Sequence, residues 1–334
     1  MEENTIKQTE NFVEIVGLLK KVEVEFKESD KGAYASGNIE VEVTVGEDVN
    51  VIKVKVLQMA MVGKGENRKE NKQYKALKTI VDTYKTIDKD GRENAQLVQV
   101  FGRIEENNYY IVDQDELKEG TVIMACTHFD KEVFAPITKA EATMEQKALV
   151  SFEGMITNMV QNENTGEVKV EMVGADFRGQ AVKHKMDVSS ELAQPFGSMY
   201  QVGVVTTLFY NIVNSVEVKE VAQEVAFGNV EPRKITKTTR KNLVVGGLPV
   251  NYESTMTQEI VTKMLAVRVN TLEKVKQDTI ARANNGGAKA NSNAGATAGV
   301  GANPFGGAGT QDANPFGGNA GANPFGAGGN PFGN

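Results

Sequence analysis

Cysteine and histidine, which serve in many catalytic and metal sites, are scarce in this chain. Its 334 residues include one cysteine, two histidines and no tryptophan. A single cysteine, Cys126, excludes an intramolecular disulfide and fits a reducing compartment. Cys126 and His128 have no further ligands at metal-site spacing, and neither a nucleophile elbow nor a phosphate-binding loop is present. The sequence therefore predicts a protein that is not an enzyme and needs no metal ion or cofactor.

Long apolar runs are also missing. No stretch approaches the roughly 18 apolar residues of a transmembrane helix. Residues 1–5 show neither the basic start nor the apolar run of a signal peptide. We therefore expect a cytoplasmic protein without membrane contact.

The segment 284–334 has a composition unlike the rest. It contains 15 Gly, 11 Ala and 10 Asn, and repeats Asn-Pro-Phe-Gly four times. So few apolar side chains do not offset the entropy of ordering the backbone, which predicts a disordered tail. The repeated phenylalanines are the predicted partner-binding residues: Phe305, Phe316, Phe325 and Phe332.

Three roles are open for this tail. Weak repeated tags gain affinity because the first contact raises the effective concentration of the others, which favours recruitment of a partner. Aromatic residues on a flexible chain also associate with each other, which would concentrate the protein locally. The third role is a passive spacer. Four recurrences of one tetrapeptide favour a working role over the spacer.

The first part of the body, 1–140, alternates apolar and polar residues. Three such runs fall at 13–26, 39–45 and 51–56, and each is typical of a half-buried strand. Apolar residues at helical spacing then predict a helix over 70–87. Strands at 97–101 and 109–112 follow. Three strands, a helix and two strands is the order of an OB-fold, a five-stranded barrel.

The same order recurs over 141–228. Predicted strands lie at 148–154, 168–172, 182–188, 202–213 and 216–221, with a short helix over 189–196 that Pro195 ends. Gly154 matches Gly17 in lying inside the first strand, where glycine often marks the bend of a small barrel. The sequence thus predicts a mainly β protein with tandem OB-fold-like barrels.

Residues 229–283 are predicted as a basic linker and a C-terminal amphipathic helix. Thr255 and Gln258 have the spacing of a capping box at the start of the helix. Its apolar stripe is predicted from Ile260, Met264, Leu265, Leu272 and Val275. The spacing does not decide whether this stripe packs on the chain's own body or on another subunit.

Two cationic clusters favour nucleic-acid binding, although the whole chain has a net charge of −7. Clustered cations supply sequence-independent affinity by displacing the counterions of phosphates. Solubility of an exposed helix is the competing interpretation of the first cluster. The candidate cations, with two more on a predicted strand of the second barrel, are Lys64, Arg68, Lys69, Lys72, Lys75, Lys78, Lys183, Lys185, Arg233, Lys234, Lys237, Arg240 and Lys241.

Single-strand binding also uses aromatic rings on which bases stack. Neighbours on a strand point to opposite faces, so one member of each adjacent aromatic pair is expected in the core and the other outside. The two pairs are Tyr109–Tyr110 and Phe209–Tyr210. Tyr34 and Phe177, near predicted hairpin tips, are further candidates.

Predicted OB barrels followed by a Gly/Asn-rich tail with Pro-Phe pairs resemble the single-stranded-DNA-binding proteins of replication, of bacteriophage type. The resemblance implies binding of single-stranded DNA, with RNA as an alternative, in replication, recombination or repair. It also implies tail-mediated contacts with replication or recombination proteins, and the host cytoplasm as location. Homo-oligomerisation stays open.

The chain departs from that family in two respects. Bacterial members have one barrel per subunit and end in an acidic tip with a terminal Pro-Phe. This tail has internal Pro-Phe pairs, almost no acid, and ends in Gly333-Asn334. The alternative function is a structural or assembly protein of a phage particle, whose β-domains contact other proteins.

Overall fold

The structure, a computed structural model, describes residues 6–45, 48–63, 65–126, 135–221 and 233–284; the side chains of 216–221 and 233–238 are not described. The predicted tail lies outside these residues from 285 onward, as do Lys64 and His128. The strands are β1 (Asn11–Ser29), β2 (Gly32–Val45), β3 (Asp48–Met59), β4 (Met61–Val62), β5 (Lys69–Glu70), β6 (Leu97–Glu106), β7 (Tyr109–Ile111), β8 (Glu116–Lys118), β9 (Thr121–Ala125), β10 (Ile137–Lys139), β11 (Lys147–Gln161), β12 (Val168–Ala175), β13 (Ala181–Val188), β14 (Val205–Val221) and β15 (Arg233–Gly247). The helices are α1 (Lys72–Thr83), α2 (Ile87–Asp90), α3 (Ser190–Met199) and α4 (Gln258–Asn284).

Five strands of the first half close into a barrel. β1 pairs antiparallel with both β2 and β6, and β2 pairs antiparallel with β3. β9 closes the ring because it pairs parallel with β3 and antiparallel with β6. Helix α1 lies between the third and fourth strands of this ring. This pairing is that of an OB-fold, in which closure leaves few free strand edges.

The second half repeats the ring strand for strand. β11 pairs with β12 and β14, and β12 pairs with β13. β15 pairs antiparallel with β14 and parallel with β13 through Asp187 and Leu243. Helix α3 again lies between the third and fourth strands. The prediction of a mainly β fold with tandem OB-like barrels is confirmed.

The fifth strand of each barrel differs from the sequence prediction. Residues 109–112 are not part of the first barrel, because β7 pairs with β8 in a separate hairpin and β9 takes the fifth place. In the second barrel, 202–213 and 216–221 were expected as two strands, but β14 is one continuous strand. The fifth strand is β15, within the segment expected as a basic linker. The first part of this strand pairs only with β14, whereas Leu243 also pairs with Asp187 of β13.

Two helix ends also differ from expectation. α3 continues through Pro195 to Met199 instead of ending there. The predicted helix 70–87 is shorter in the structure, because α1 ends at Thr83 and a separate short helix, α2, begins at Ile87. At the start of α4, Thr257 takes the capping role expected of Thr255, because its Oγ1 accepts a hydrogen bond from the Ile260 N–H at 3.3 Å.

The two barrels are joined at two seams. At the first seam β1 and β11 pair antiparallel, from Asn11 opposite Phe152 to Val16 opposite Lys147. At the second, β14 meets β3 with Ser215 opposite Asn50. The Asn214 N–H donates to Asn50 Oδ1 at 2.9 Å there. The barrels therefore share one sheet, with strand order β2–β3–β14–β15–β13–β12 along one part of it.

Helix α4 packs on its own body. Val261 and Met264 are buried against Met155, Val173 and Val205 at one end of the second barrel. Leu272 and Val275 are also buried, further along the helix. Among the described helices, none is both long and apolar enough to cross a membrane.

Candidate nucleic-acid interface

The outer face of the first barrel is formed by alternate residues of β1, β2 and β3. Inward-facing residues such as Ile39 and Val54 are fully buried, so their neighbours point outward. The register places outward residues of β2 and β3 opposite each other in four successive rows: Tyr34 with Met59, Ser36 with Leu57, Asn38 with Lys55, and Glu40 with Lys53. One end of this face is therefore aromatic and apolar, and the next part carries two lysines.

Lys53 and Lys55 differ from the other lysines of this face. On β1, Lys21 Nζ lies 2.5 Å from Glu23 Oε1, and Lys27 Nζ lies 2.6 Å from Glu25 Oε2. The hydrogen bond to each glutamate raises the pKa of the lysine and holds both charges together. Among the described residues, neither Lys53 nor Lys55 has an ion pair. Lys53 lies opposite Glu40 and, after Lys21, also helps to lower the pKa of Glu23, so these two lysines lack a direct ion pair but have carboxylates nearby. The sequence did not single them out, because alternating lysines on a strand also fit a solvated face.

One member of the first predicted cationic cluster, Arg68, lies near the aromatic end of the same face. The described members of this cluster, Arg68, Lys69, Lys72, Lys75 and Lys78, are all exposed. The β4–β5 hairpin follows Met59 directly, and Arg68 Nη2 donates to the Lys31 carbonyl oxygen at 3.4 Å, beside the β1–β2 turn. Lys75 is paired with Glu70 at 2.5 Å. Arg68 thus adds positive charge near the β1–β2 turn, at the end of the face that carries Tyr34 and Met59.

The second predicted cluster lies on the β14–β15 ribbon. Opposite charges face each other across its strands, with Glu217 opposite Lys237 and Glu220 opposite Lys234. Arg233 is opposite Val221 at the far end. The cations still outnumber these two anions: Lys219, Arg233, Lys234, Lys237, Arg240 and Lys241.

Side chains are described only at the base of this ribbon. Arg240 is exposed, whereas Lys241 is held 2.7 Å from Glu167. That hydrogen bond raises the pKa of Lys241. Of the predicted pair on β13, Lys183 is bound to Glu171 at 3.1 Å and Lys185 is exposed. Among the predicted cations of β13 and β15 whose side chains are described, Arg240 and Lys185 have no ion pair.

Each adjacent aromatic pair divides between core and surface, as the alternation predicts. Tyr110 is buried and donates to Asp115, whereas Tyr109 is 39% exposed on the β7–β8 hairpin. Tyr210 is fully buried, whereas Phe209 is half-buried. The rings of Tyr110 and Tyr210 are therefore not open to a base in this structure.

Phe177 lies in the β12–β13 turn and is 49% exposed. The guanidinium carbons of Arg178 and Arg103 lie 4.8 Å and 5.6 Å from the centre of its ring. Cation–π contacts of this kind hold the ring beside two positive charges. Because Arg103 belongs to β6, this aromatic site lies where the second barrel meets the first.

Polar groups in the core of the second barrel have no hydrogen-bond partner. His184 packs between Phe152 and Tyr210, with ring centres 5.4 Å and 5.0 Å away. Both of its ring nitrogens and the Tyr210 hydroxyl are buried and unpaired among the described residues. Burial lowers the pKa of His184 from 6.5 to about 4. This histidine is a neutral core residue at physiological pH.

Cys126 and His128, which the sequence does not favour as a metal site, cannot be compared in the structure because His128 lies outside the described residues. Cys126 is partly buried, and burial raises the pKa of its thiol. Within the described ranges, no group of three or more His, Cys, Asp or Glu side chains converges on one point.

Comparison with known proteins identifies the chain's family. The model of the family described as YorF matches residues 10–278, which include both barrels and most of α4. The chain belongs to the YorF family. Comparison with curated proteins gives no match.

Solved structures with a similar fold come from Thermus aquaticus. The wild-type single-stranded DNA binding protein of that organism aligns with a TM-score of 0.42 and 13% identity, over 73% of this chain and 94% of the other. A deletion mutant of the same protein aligns with a TM-score of 0.41 and 14% identity, over 72% of this chain and 95% of the other.

Proposed function

We propose that this YorF family member binds single-stranded nucleic acid, primarily DNA, without sequence preference. The observation that carries the proposal is the outer face of β1–β3, where Tyr34, Leu57 and Met59 adjoin the unpaired Lys53 and Lys55. A ring and an apolar surface accept any base by stacking, and two free ammonium groups accept successive phosphates. The β2–β3 face of an OB barrel is where such ligands bind.

The ligand path extends beyond this face. In the shared sheet β3 is followed by β14, β15 and β13. Arg240 on β15 and Lys185 on β13 therefore belong to the same sheet as Lys53 and Lys55. The proposed contacts are stacking on Tyr34, Leu57 and Met59 and attraction of phosphates to the cations of both barrels, so we expect affinity to follow strand length and salt more than sequence.

Removal of the two free lysines tests this assignment. In Lys53→Ala/Lys55→Ala we expect roughly tenfold weaker binding of a fluorescein-labelled oligo(dT), measured by fluorescence anisotropy. Two lost phosphate contacts should also flatten the slope of log K against log salt by about 1.4. The matched control is Lys89→Ala/Lys274→Ala, which removes the same charge from exposed positions on α2 and α4. An equal loss of affinity in the double variant and in the control would reject this site. If the wild type did not bind oligo(dT), the proposed function itself would be rejected.

We further propose that the protein acts in DNA replication, recombination or repair, and that the tail recruits a partner. The four Asn-Pro-Phe-Gly repeats support this, since multiplicity raises the affinity of weak tags. Replacing Phe305, Phe316, Phe325 and Phe332 by alanine should leave oligo(dT) affinity within twofold while abolishing capture of replication proteins. Reduced cooperativity on long single strands without loss of capture would instead assign the repeats to self-association.

A role in assembly is the second candidate. Exposed apolar residues lie near the end of α3. Met199 precedes Tyr200 in the sequence, and the Tyr200 hydroxyl donates to the Leu248 carbonyl oxygen at 2.8 Å, which brings Leu248 close to this end of the helix. Met199, Val202 and Leu248 are exposed, and Tyr252 is 90% exposed. Apolar surface of this kind marks protein contacts when it is contiguous. A stable oligomer by light scattering, together with indifference to oligo(dT), would favour this role.

A further inference from the structure

Helix α4 contacts both barrels. Its first turns are buried on the second barrel through Val261 and Met264. Its later part contacts the β7–β8 hairpin, which connects the fourth and fifth strands of the first barrel. One rigid element therefore reaches from the core of one barrel to a loop of the other.

Glu106 is the point where the three parts meet. This residue ends β6, and its Oε1 accepts the Lys183 N–H of β13 at 3.0 Å and Arg268 Nε of α4 at 2.6 Å. Its Oε2 accepts Asn108 Nδ2 at 2.7 Å. Arg268 also donates from Nη2 to Glu119 at 3.0 Å, across the base of the hairpin. The Arg268 side chain is only 9% exposed, so these charge-assisted bonds are largely shielded from water.

A second contact holds the tip of the hairpin. Lys276 Nζ donates to Asp115 Oδ1 at 3.1 Å and lies 5.0 Å from the centre of the Tyr110 ring. Tyr110 donates to the same Asp115 oxygen. Arg268 and Lys276 are eight residues apart on α4, just over two turns, and their contacts show that both reach the hairpin region. The base and the tip of the hairpin are thus fixed from one helix.

We propose that α4 is a brace, with Arg268 as its positioning residue, which fixes the two barrels so that one strand contacts both ligand faces at once. The inference rests on the proposed single-strand binding. The main-chain N–H of Lys183 donates to Glu106, and Lys183 lies on β13, the strand that also carries Lys185. The braced hairpin carries the exposed Tyr109. When the two ligand faces have a fixed relative position before binding, a strand that contacts one face is held close to the other. The effective concentration of the strand at the second face is then high, which strengthens binding to both.

The first arm of the test needs no DNA. In Arg268→Gln we expect faster hydrogen–deuterium exchange in residues 107–120, with unchanged exchange in the barrel strands β1 and β11. Arg268→Lys keeps a charge that reaches one carboxylate and should restore part of the protection. Lys263→Gln, which removes an exposed cation paired with Glu259 on the same helix, should exchange as the wild type does. Unchanged exchange at 107–120, or an equal rise throughout the chain, would overturn the brace.

The second arm separates positioning from local stability. An oligo(dT) of about 8 nucleotides fits one barrel and one of about 30 spans both, from the usual footprint of an OB-fold. Arg268→Gln should lose roughly tenfold in affinity for the long oligonucleotide and less than twofold for the short one. Equal losses for the two lengths would contradict positioning. If neither the wild type nor any variant binds either length while exchange responds as expected, the proposed function fails, and only the structural bracing of the hairpin by α4 stands.

Discussion

The wild-type protein should lose about 3 kcal/mol of its free energy of unfolding between about pH 7 and pH 4 through His184 alone. Burial among Phe152 and Tyr210 lowers the pKa of this imidazole from 6.5 to about 4. Below pH 6.5 the unfolded chain therefore binds a proton that the folded chain does not. Stability contributed by the neutral ring is complete above the unfolded pKa and falls as the pH drops toward the folded one.

Urea unfolding at about pH 7 and pH 4.5 measures this loss. His184→Leu has a similar volume and no titrating group, so its stability should fall about 2–3 kcal/mol less than that of the wild type over the same interval. Since both ring nitrogens lack partners among the described residues, leucine should not weaken the protein at neutral pH. His128→Gln, at the only other histidine in the sequence, is the control and should retain the acid sensitivity. A wild-type loss that persists in His184→Leu would show that other groups cause it.

Alanine at Gly17 or Gly154 should destabilise its barrel by about 2–3 kcal/mol. Each glycine lies where the first strand leaves the fourth strand and continues beside the second. A Cβ atom would lie 2.4 Å from the Glu42 carbonyl oxygen at Gly17, and 2.6 Å from the Val173 carbonyl oxygen at Gly154. The neighbour is backbone in both cases, so relief requires separation of paired strands.

Gly246→Ala is the matched control for this pair. Gly246 also lies in a strand, β15, but a Cβ there meets no atom within 4 Å. Chemical denaturation should therefore place Gly246→Ala close to the wild type and both barrel variants well below it. Equal stability of all three variants would mean that the barrel corners tolerate a side chain, and that the glycines have another role.

The sequence made the first three strands of each barrel predictable because their alternation follows one buried face. Val41 and Val54 are buried and Glu40 and Lys53 are not, as the period of two requires. β15 escaped prediction because its outer part bonds only to β14, so no apolar period marks it. β9 was also missed, since it follows a hairpin, β7–β8, that has strand-like residues of its own.

The candidate site was predictable only in part. Cation runs in sequence located the β4–β5 and β15 regions, but Lys53 and Lys55 became visible only when the register placed them beside Leu57 and Met59 on one face. Ion pairing is likewise a property of the fold. Lys75, Lys183 and Lys241 are predicted nucleic-acid contacts from the sequence, and in the structure each is held by a glutamate.

Photo-crosslinking tests the course of the strand most directly. An oligo(dT) that carries 5-iododeoxyuridine at successive positions would be irradiated with the full chain, and the crosslinked peptides identified by mass spectrometry. The proposed path predicts crosslinks at Tyr34 and Met59 on the first barrel and on peptides that contain Arg240 or Lys185 on the second. Crosslinks confined to residues 285–334, or to the α3 side of the second barrel, would contradict it.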